Sequence, residues 1–321
     1  MGTVDPMNDH ISRRSMLGRM ALALAAVPVA ACRSVSPSSD GAGRTHPGTG
    51  MTDADLERLL AWTAALREQQ LTGDTPLGRA AARVGELATG TPSEPYTLEA
   101  YIRAGGNPAS TEPLTLSLTR FDCVSLVESC LAVARVAATG LTPSWDAFAW
   151  EMERMRYRGG ERRDYVSRLH YFSEWISDGA RRGLLRDLGA ELGGIPDRRQ
   201  LRFMTSHRDS YPALANDEVY RGIGEMEKSL DDRPRMVVPA ERIPAVAGRI
   251  EHGDVIAFAT SIEGLDVTHS AFAYRGQDGV LRVLHAPLSG GVVEVTRSTL
   301  PEYVAAIRRA TGILLARPLR G

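Results

Sequence analysis

From Gly253 onward the chain alternates apolar and polar residues over strand lengths. GDVIAFAT, DVTHSAFAYR, VLRVLHAPL and VVEVT follow one another, separated by glycine-containing turns. A period of two sends successive side chains to opposite faces, and short turn-linked runs of this kind pair as an antiparallel meander. ILLARPL adds a last strand after a helical stretch, Thr299 to Ala310. Upstream the period becomes helical: Asp53 to Gln70 carries Leu56, Leu59, Leu60, Trp62 and Leu66 on or near one face, and Thr75 to Leu87, Ser144 to Tyr157 and Tyr171 to Arg182 read as further helices. Tyr96 to Leu118 is extended and turn-rich, with Gly105, Gly106 and Pro108 as breakers. Helices first and an antiparallel sheet last make an α+β protein, with residues 51–321 forming one catalytic unit.

The first 50 residues are read apart from the fold. ISRRSML sets Arg13 and Arg14 before the apolar run Met20 to Ala31, the pattern of a twin-arginine export signal. That run is too short to span a bilayer comfortably. Val29-Ala30-Ala31-Cys32 resembles a bacterial lipoprotein cleavage box, which makes Cys32 the expected acylation site, the alternative being an ordinary secretory signal with a chance cysteine. Residues 1–31 are thus an expected export signal and 32–50, rich in Ser, Pro and Gly, a flexible tether. Arg33 after the anchor points to the outer membrane and a periplasmic location.

Charge excludes some functions. Lys+Arg 38 against Asp+Glu 39 offers no electrostatic case for nucleic acid. Lys228 is the sole lysine, so Schiff-base or Ser–Lys chemistry would rest on it, and it sits in the polar stretch EMEKSLDDR. The sequence has no GxSxG elbow, no HExxH and no CxxC, and no His–His–carboxylate spacing suggests a metal centre. A zinc site from dispersed His170, His207 and His269 would have to be assembled by the fold alone. No cofactor or metal is expected.

Of the three cysteines, Cys32 would carry lipid, leaving Cys123 and Cys130. Seven residues apart on a helix, they lie about 10 Å apart along the axis, beyond disulfide reach. Cys130 falls in the apolar stripe of Leu126, Val127, Leu131 and Ala134 and reads as core. Cys123 starts the helix after an extended stretch, Leu114 to Leu118, where unpaired N–H groups and the helix dipole favour thiolate. Asp122 can cap that helix, and Ser125 with Glu128 is a second capping pair one turn on. Position alone equally fits a packed structural thiol. His269 and His285 lie on neighbouring strand patterns, His269 as a base for Cys123 and His285 as its orienting partner, a role that water or a carbonyl could also fill. For ligand contact, RLHYFSEW offers Arg168, His170 and Tyr171, with Tyr211 in RFMTSHRDSYPAL as a wall and Asp266 beside the second strand; the aromatics of the first cluster equally suit a buried amphipathic face.

Four ordered blocks, FDCVSLVES, RLHYFSEWI, GDVIAFAT with LDVTHSAFAY, and VLHAP with the later TLPEYV, together resemble the N-acetylmuramoyl-L-alanine amidase-like family of NlpC-type, papain-like cysteine hydrolases. The resemblance runs from about Leu114 to the C-terminus; the leader and the helices within 51–90 lie outside it. It implies Cys123 as nucleophile, His269 as base and His285 as orienting residue. Pro287 departs from the pattern, which often has serine there. The implied reaction is hydrolysis of the amide between N-acetylmuramic acid and L-alanine in peptidoglycan fragments, without a metal. Two alternatives are a same-fold endopeptidase cutting between D-glutamate and the diamino acid, and a non-catalytic peptidoglycan-binding lipoprotein.

Overall fold

The computed structural model describes residues 50–321. The expected export signal, the Cys32 acylation site and the tether up to residue 49 lie outside the described residues.

The longer helices are α1 (Asp53–Glu68), α2 (Leu77–Leu87), α3 (Cys123–Ala138), α4 (Trp145–Arg156), α5 (Phe172–Arg181), α6 (Asp217–Ser229) and α7 (Leu300–Ala306). The strands are β1 (Pro92–Ser93), β2 (Leu185–Asp187), β3 (Ile195–Asp197), β4 (Arg235–Pro239), β5 (Val255–Thr260), β6 (Val267–Arg275), β7 (Leu281–His285), β8 (Gly291–Val292), β9 (Glu294–Val295) and β10 (Ala310–Pro318). An antiparallel sheet runs β3-β4-β10-β5-β6-β7-β9, with β2 also pairing β10, while β1 and β8 form a separate two-stranded ribbon. The mixed α+β class is therefore as expected. Strands β2, β3 and β4 were not legible in the alternation, β2 and β3 being short, with Pro196 inside β3, and β4 being largely buried on both faces. The expected VVEVT strand is split: Val292 pairs with Pro92, and Val295 with Leu284. Leu114 to Leu118 forms no ladder at all; the Leu118 N–H instead donates to the buried Asp55 carboxylate at 2.7 Å.

Strand β5 is buried along its whole length because both of its faces are covered. Val255, Ala257 and Ala259 face a core shared with Leu59, Val84, Leu126 and Leu131 of the helices, while Ile256 and Phe258 face a second core with Val283, Leu300, Val304 and Ile313. Helix α3 is the centre of the first layer. It packs against α1, α2, α4 and β6, and its side chains from Ser125 to Ala137 are buried all round, as a helix apolar on every face requires. A third apolar cluster, with Tyr165, Tyr171, Phe203, Leu214, Val219 and Ile223, fills the segment between α5 and α6.

One irregularity in the sheet re-aims a face. Ala257 pairs with Ser270 but Ala259 with Val267, so β6 carries one extra residue opposite β5 at this point. Val267 and Phe272, of opposite parity, consequently both pack into the helix-side core, whereas Ala271 and Ala273 pack on the other side. A β-bulge reverses the alternation in this way. His269 lies inside it.

Candidate active site

Cys123 is the first residue of α3 and is half-buried. Asp122 caps the helix by accepting the Ser125 N–H at 2.7 Å, and Ser125 Oγ accepts the Asp122 N–H at 2.8 Å. The capping box is therefore Asp122 with Ser125, one turn earlier than the expected Ser125–Glu128 pair. Glu128 is turned inward, where its carboxylate pairs with Arg156 Nε at 2.8 Å. The reciprocal cap fixes the backbone around Cys123 and leaves the first-turn amides fixed in direction. Thr97 Oγ1 donates to Asp122 Oδ2 at 3.0 Å, adding a second hold on the cap.

The segment preceding α3 is clamped to the histidine side of the molecule by β1. Phe121 donates its N–H to the Pro92 carbonyl at 3.1 Å, and Glu94 returns one to the Phe121 carbonyl at 2.8 Å. Ser93 Oγ donates to the Pro287 carbonyl at 2.8 Å, two residues past His285. A single short strand thus touches the chain two residues before Cys123 and two residues after His285.

His269 on β6 and His285 at the end of β7 are both buried and face each other, Nε2 to Nδ1, at 2.9 Å. Tyr303 of α7 sets its hydroxyl 3.3 Å from the same His285 Nδ1. On the far side of that ring, His285 Nε2 lies 3.7 Å from a carboxylate oxygen of Glu294. His269 Nδ1 is buried and makes no hydrogen bond to the described residues. Burial holds both imidazoles below the ordinary histidine range: His269, with the nearby His285 charge adding to the effect, at about 3, and His285 at about 4. Both are therefore neutral near pH 7. Burial, then the negative charges of Cys123 and Glu294, push the Tyr303 phenol up to about 12. That coupling puts the thiol, the phenol and the histidine pair in one electrostatic neighbourhood.

In one tautomer of the neutral pair, a proton on His285 Nε2 faces the Glu294 carboxylate oxygen 3.7 Å away, and His285 Nδ1 accepts from the His269 Nε2–H. His269 Nδ1 then carries the lone pair, the form needed to accept a proton.

The other expected ligand residues are engaged inside the protein. Arg168 is 5% exposed; its guanidinium is held by Glu99 and Glu112 and lies over the Tyr165 ring. Tyr171 is buried, and its hydroxyl donates to Glu227 at 2.7 Å. Glu227 itself, within the polar stretch EMEKSLDDR, is fully buried and also accepts from Met204 and Thr205. Asp266 accepts the Ser173 N–H at 2.8 Å and so caps the first turn of α5 from the start of β6. His170 Nε2 meets the Tyr165 carbonyl at 2.7 Å, and burial with the Arg168 charge drives its pKa well down. Tyr211 packs against the third apolar cluster. Burial pushes the Cys130 thiol up, as expected for a core residue. Sequence reasoning gave no role to Phe258, Glu294 or Tyr303, although the runs GDVIAFAT, VVEVT and TLPEYV contain them. Among the described residues no cluster of His, Cys, Asp or Glu is arranged to hold a metal ion.

The sequence pattern of N-acetylmuramoyl-L-alanine amidase-like (AmiA-like) proteins matches residues 86–313. The match begins upstream of Leu114 and so includes the β1 clamp. A crystal structure of an N-acetylmuramoyl-L-alanine amidase from Bacteroides uniformis is similar at 31% identity and a TM-score of 0.68, covering 76% of this chain and 99% of that one. A Bacteroides fragilis protein described as a candidate xylanase is similar at 32% identity and a TM-score of 0.65, over 73% of this chain and 98% of that one. A Legionella pneumophila protein shares the fold at 18% identity and a TM-score of 0.60, over 83% and 96%. A comparison with curated protein sequences returns no match.

Proposed function

Because the chain belongs to the N-acetylmuramoyl-L-alanine amidase-like family, we propose that it is a cysteine hydrolase cleaving the amide between N-acetylmuramic acid and L-alanine in peptidoglycan fragments. The observations that carry this reading are the His269–His285 contact at 2.9 Å and a capped, helix-start thiol whose charge acts on Tyr303, the phenol that touches His285. A helix-start thiol and a sheet-borne histidine pair are the groups an NlpC-type, papain-like enzyme would use, which supports the reading. In this reading His269 Nδ1 takes the proton of Cys123, and Sγ attacks the lactyl carbonyl. The negative oxygen that forms is met by first-turn amides, including the Cys123 N–H. His269 then returns its proton to the departing L-alanine nitrogen as the C–N bond breaks. Water, deprotonated by the same imidazole, attacks the muramoyl thioester and releases the lactyl carboxylate and the thiol. Thiol, imidazoles and phenol suit acyl transfer, whereas glycoside hydrolysis uses a pair of carboxyl groups.

The same reading makes the chain an exported enzyme tethered through Cys32 on the periplasmic side of the outer membrane. Cys32→Ala is expected to release it from the membrane fraction, and retention there would refute the anchor.

The catalytic claim is tested with defined muropeptides, products being identified by mass. Wild-type enzyme should release a peptide with a free L-alanine amine, Cys123→Ala should release none, and a chelator should leave the rate unchanged. Loss of activity with chelator but not in Cys123→Ala would overturn the thiol mechanism. A sugar product still bearing L-alanyl-D-glutamate would mark an endopeptidase instead.

A further inference from the structure

Four rings close a circuit around the histidine pair. Phe258 lies parallel to His269 with centroids 5.7 Å apart, and Tyr303 meets Phe258 at 5.2 Å. Tyr303 meets His285 edge-on at 5.3 Å, and His285 meets His269 edge-on at 5.1 Å. Each ring contacts two others, so neither imidazole can rotate without displacing a neighbour. The circuit draws on three separate parts of the chain, β5, the β6–β7 hairpin and α7. The α7 end is fixed by its own capping box, Thr299 with Glu302, and by burial of Leu300 and Val304.

The polar contacts within this box are directional. His285 Nδ1 has one lone pair when its proton is on Nε2, and both the Tyr303 hydroxyl and His269 Nε2 lie within hydrogen-bond distance of it. With the proton on Nδ1 instead, His285 would donate to His269 Nε2 and send the His269 proton to its buried, partnerless Nδ1, and a bare His285 Nε2 would face the Glu294 carboxylate at 3.7 Å. We propose that Tyr303 and Glu294 are positioning residues: the Tyr303 hydroxyl, at 3.3 Å, shares the His285 Nδ1 lone pair as a secondary donor beside the closer His269 Nε2–H, while Glu294 draws the proton to Nε2, and together they hold His285 in the tautomer that keeps a proton on His269 Nε2. Tyr303 suits the donor role because burial and the adjacent Cys123 and Glu294 charges keep its phenol protonated through neutral pH. The titratable groups facing His285 are His269, Tyr303 and Glu294, and the Cys123 charge reaches Tyr303. The inference rests on the proposed hydrolase reading for its consequence but not for its geometry.

The test uses the full chain with nitrogen-15-labelled histidine. Imidazole nitrogen shifts should report His285 as the Nε2–H tautomer in wild type and as a mixture in Tyr303→Phe, a variant that keeps the ring and the packing. Glu294→Gln, on an exposed side chain, should move His285 in the same direction. With muropeptide substrate, Tyr303→Phe should lower kcat roughly three- to tenfold with KM unchanged, the size of one lost hydrogen bond, and should shift the acid limb of the pH profile. Unchanged His285 nitrogen shifts in both variants would overturn the proposal. Absence of muropeptide cleavage by the wild-type chain would count instead against the hydrolase reading, and the nitrogen shifts would still decide the tautomer.

Discussion

Ser93 Oγ donates to the Pro287 carbonyl at 2.8 Å, joining a residue bridged to Phe121 with one just past His285. The site is thus tied across its two halves by a residue that performs none of the chemistry. Ser93→Ala removes one partly buried hydrogen bond, with an expected loss of about 0.5–1.5 kcal/mol in stability. Turnover should fall by more than the stability change implies, because the Cys123 and His285 segments lose their shared clamp. Urea unfolding and muropeptide kinetics on the variant check both; unchanged turnover would mean that α3 and the sheet alone set the spacing.

The two described cysteines should differ sharply towards an alkylating agent. Cys123 is half-buried at a helix start, while Cys130 is fully buried with its thiol pushed up by burial. Brief treatment of native protein with iodoacetamide should modify Cys123 and leave Cys130 intact by peptide mapping. Equal modification would contradict the packing of α3.

Acid should weaken the fold. His269 and His285 take up protons only near pH 3 and 4 in the folded chain because they are buried, and burial lowers His170 in the same direction. In the unfolded chain each binds a proton at about pH 6.5. Between those limits the unfolded state holds more protons, so stability rises with pH, is fully present above about 6.5 and is eroded as pH falls toward 4. Urea midpoints measured from pH 7.5 down to 4.5 should drop, and the drop should be shallower in His269→Gln. Parallel slopes for the two proteins would show that His269 contributes nothing to the acid sensitivity.

Glu128 and Arg156 form a buried pair at 2.8 Å that locks α3 to α4, and Arg156 also donates to the Thr115 carbonyl. Glu128→Ala leaves a guanidinium buried without its carboxylate, with an expected cost of about 3–5 kcal/mol. Replacing both residues with apolar side chains should recover much of that loss. A double variant no more stable than Glu128→Ala would assign the pair a packing role instead.

Much of the architecture was readable from local patterns. The helical periods from Asp53, Thr75, Ser144 and Tyr171 appear as α1, α2, α4 and α5 within a few residues, and the alternating runs after Gly253 appear as β5, β6 and β7. Capping of α3 by Asp122 was legible because a cap acts within one turn. Arg168, Tyr171 and Asp266 resisted the same treatment. A guanidinium, a phenol and a carboxylate read as ligand contacts in a linear sequence, yet Glu99, Glu227 and Ser173, distant along the chain, engage them inside the fold.

The residues themselves determined which groups were available: a thiol opening an apolar helix, imidazoles on adjacent strands, and a sheet of period two. Tertiary structure decided how they meet. The bulge in β6 selects the face on which His269 stands, Phe258 and Tyr303 arrive from other elements to box the histidine pair, and Ser93 ties the two halves together. The reason is one of range: periodicity and capping act over a few neighbouring residues, whereas an extra residue in a ladder or a ring beside an imidazole exists only once distant segments have paired.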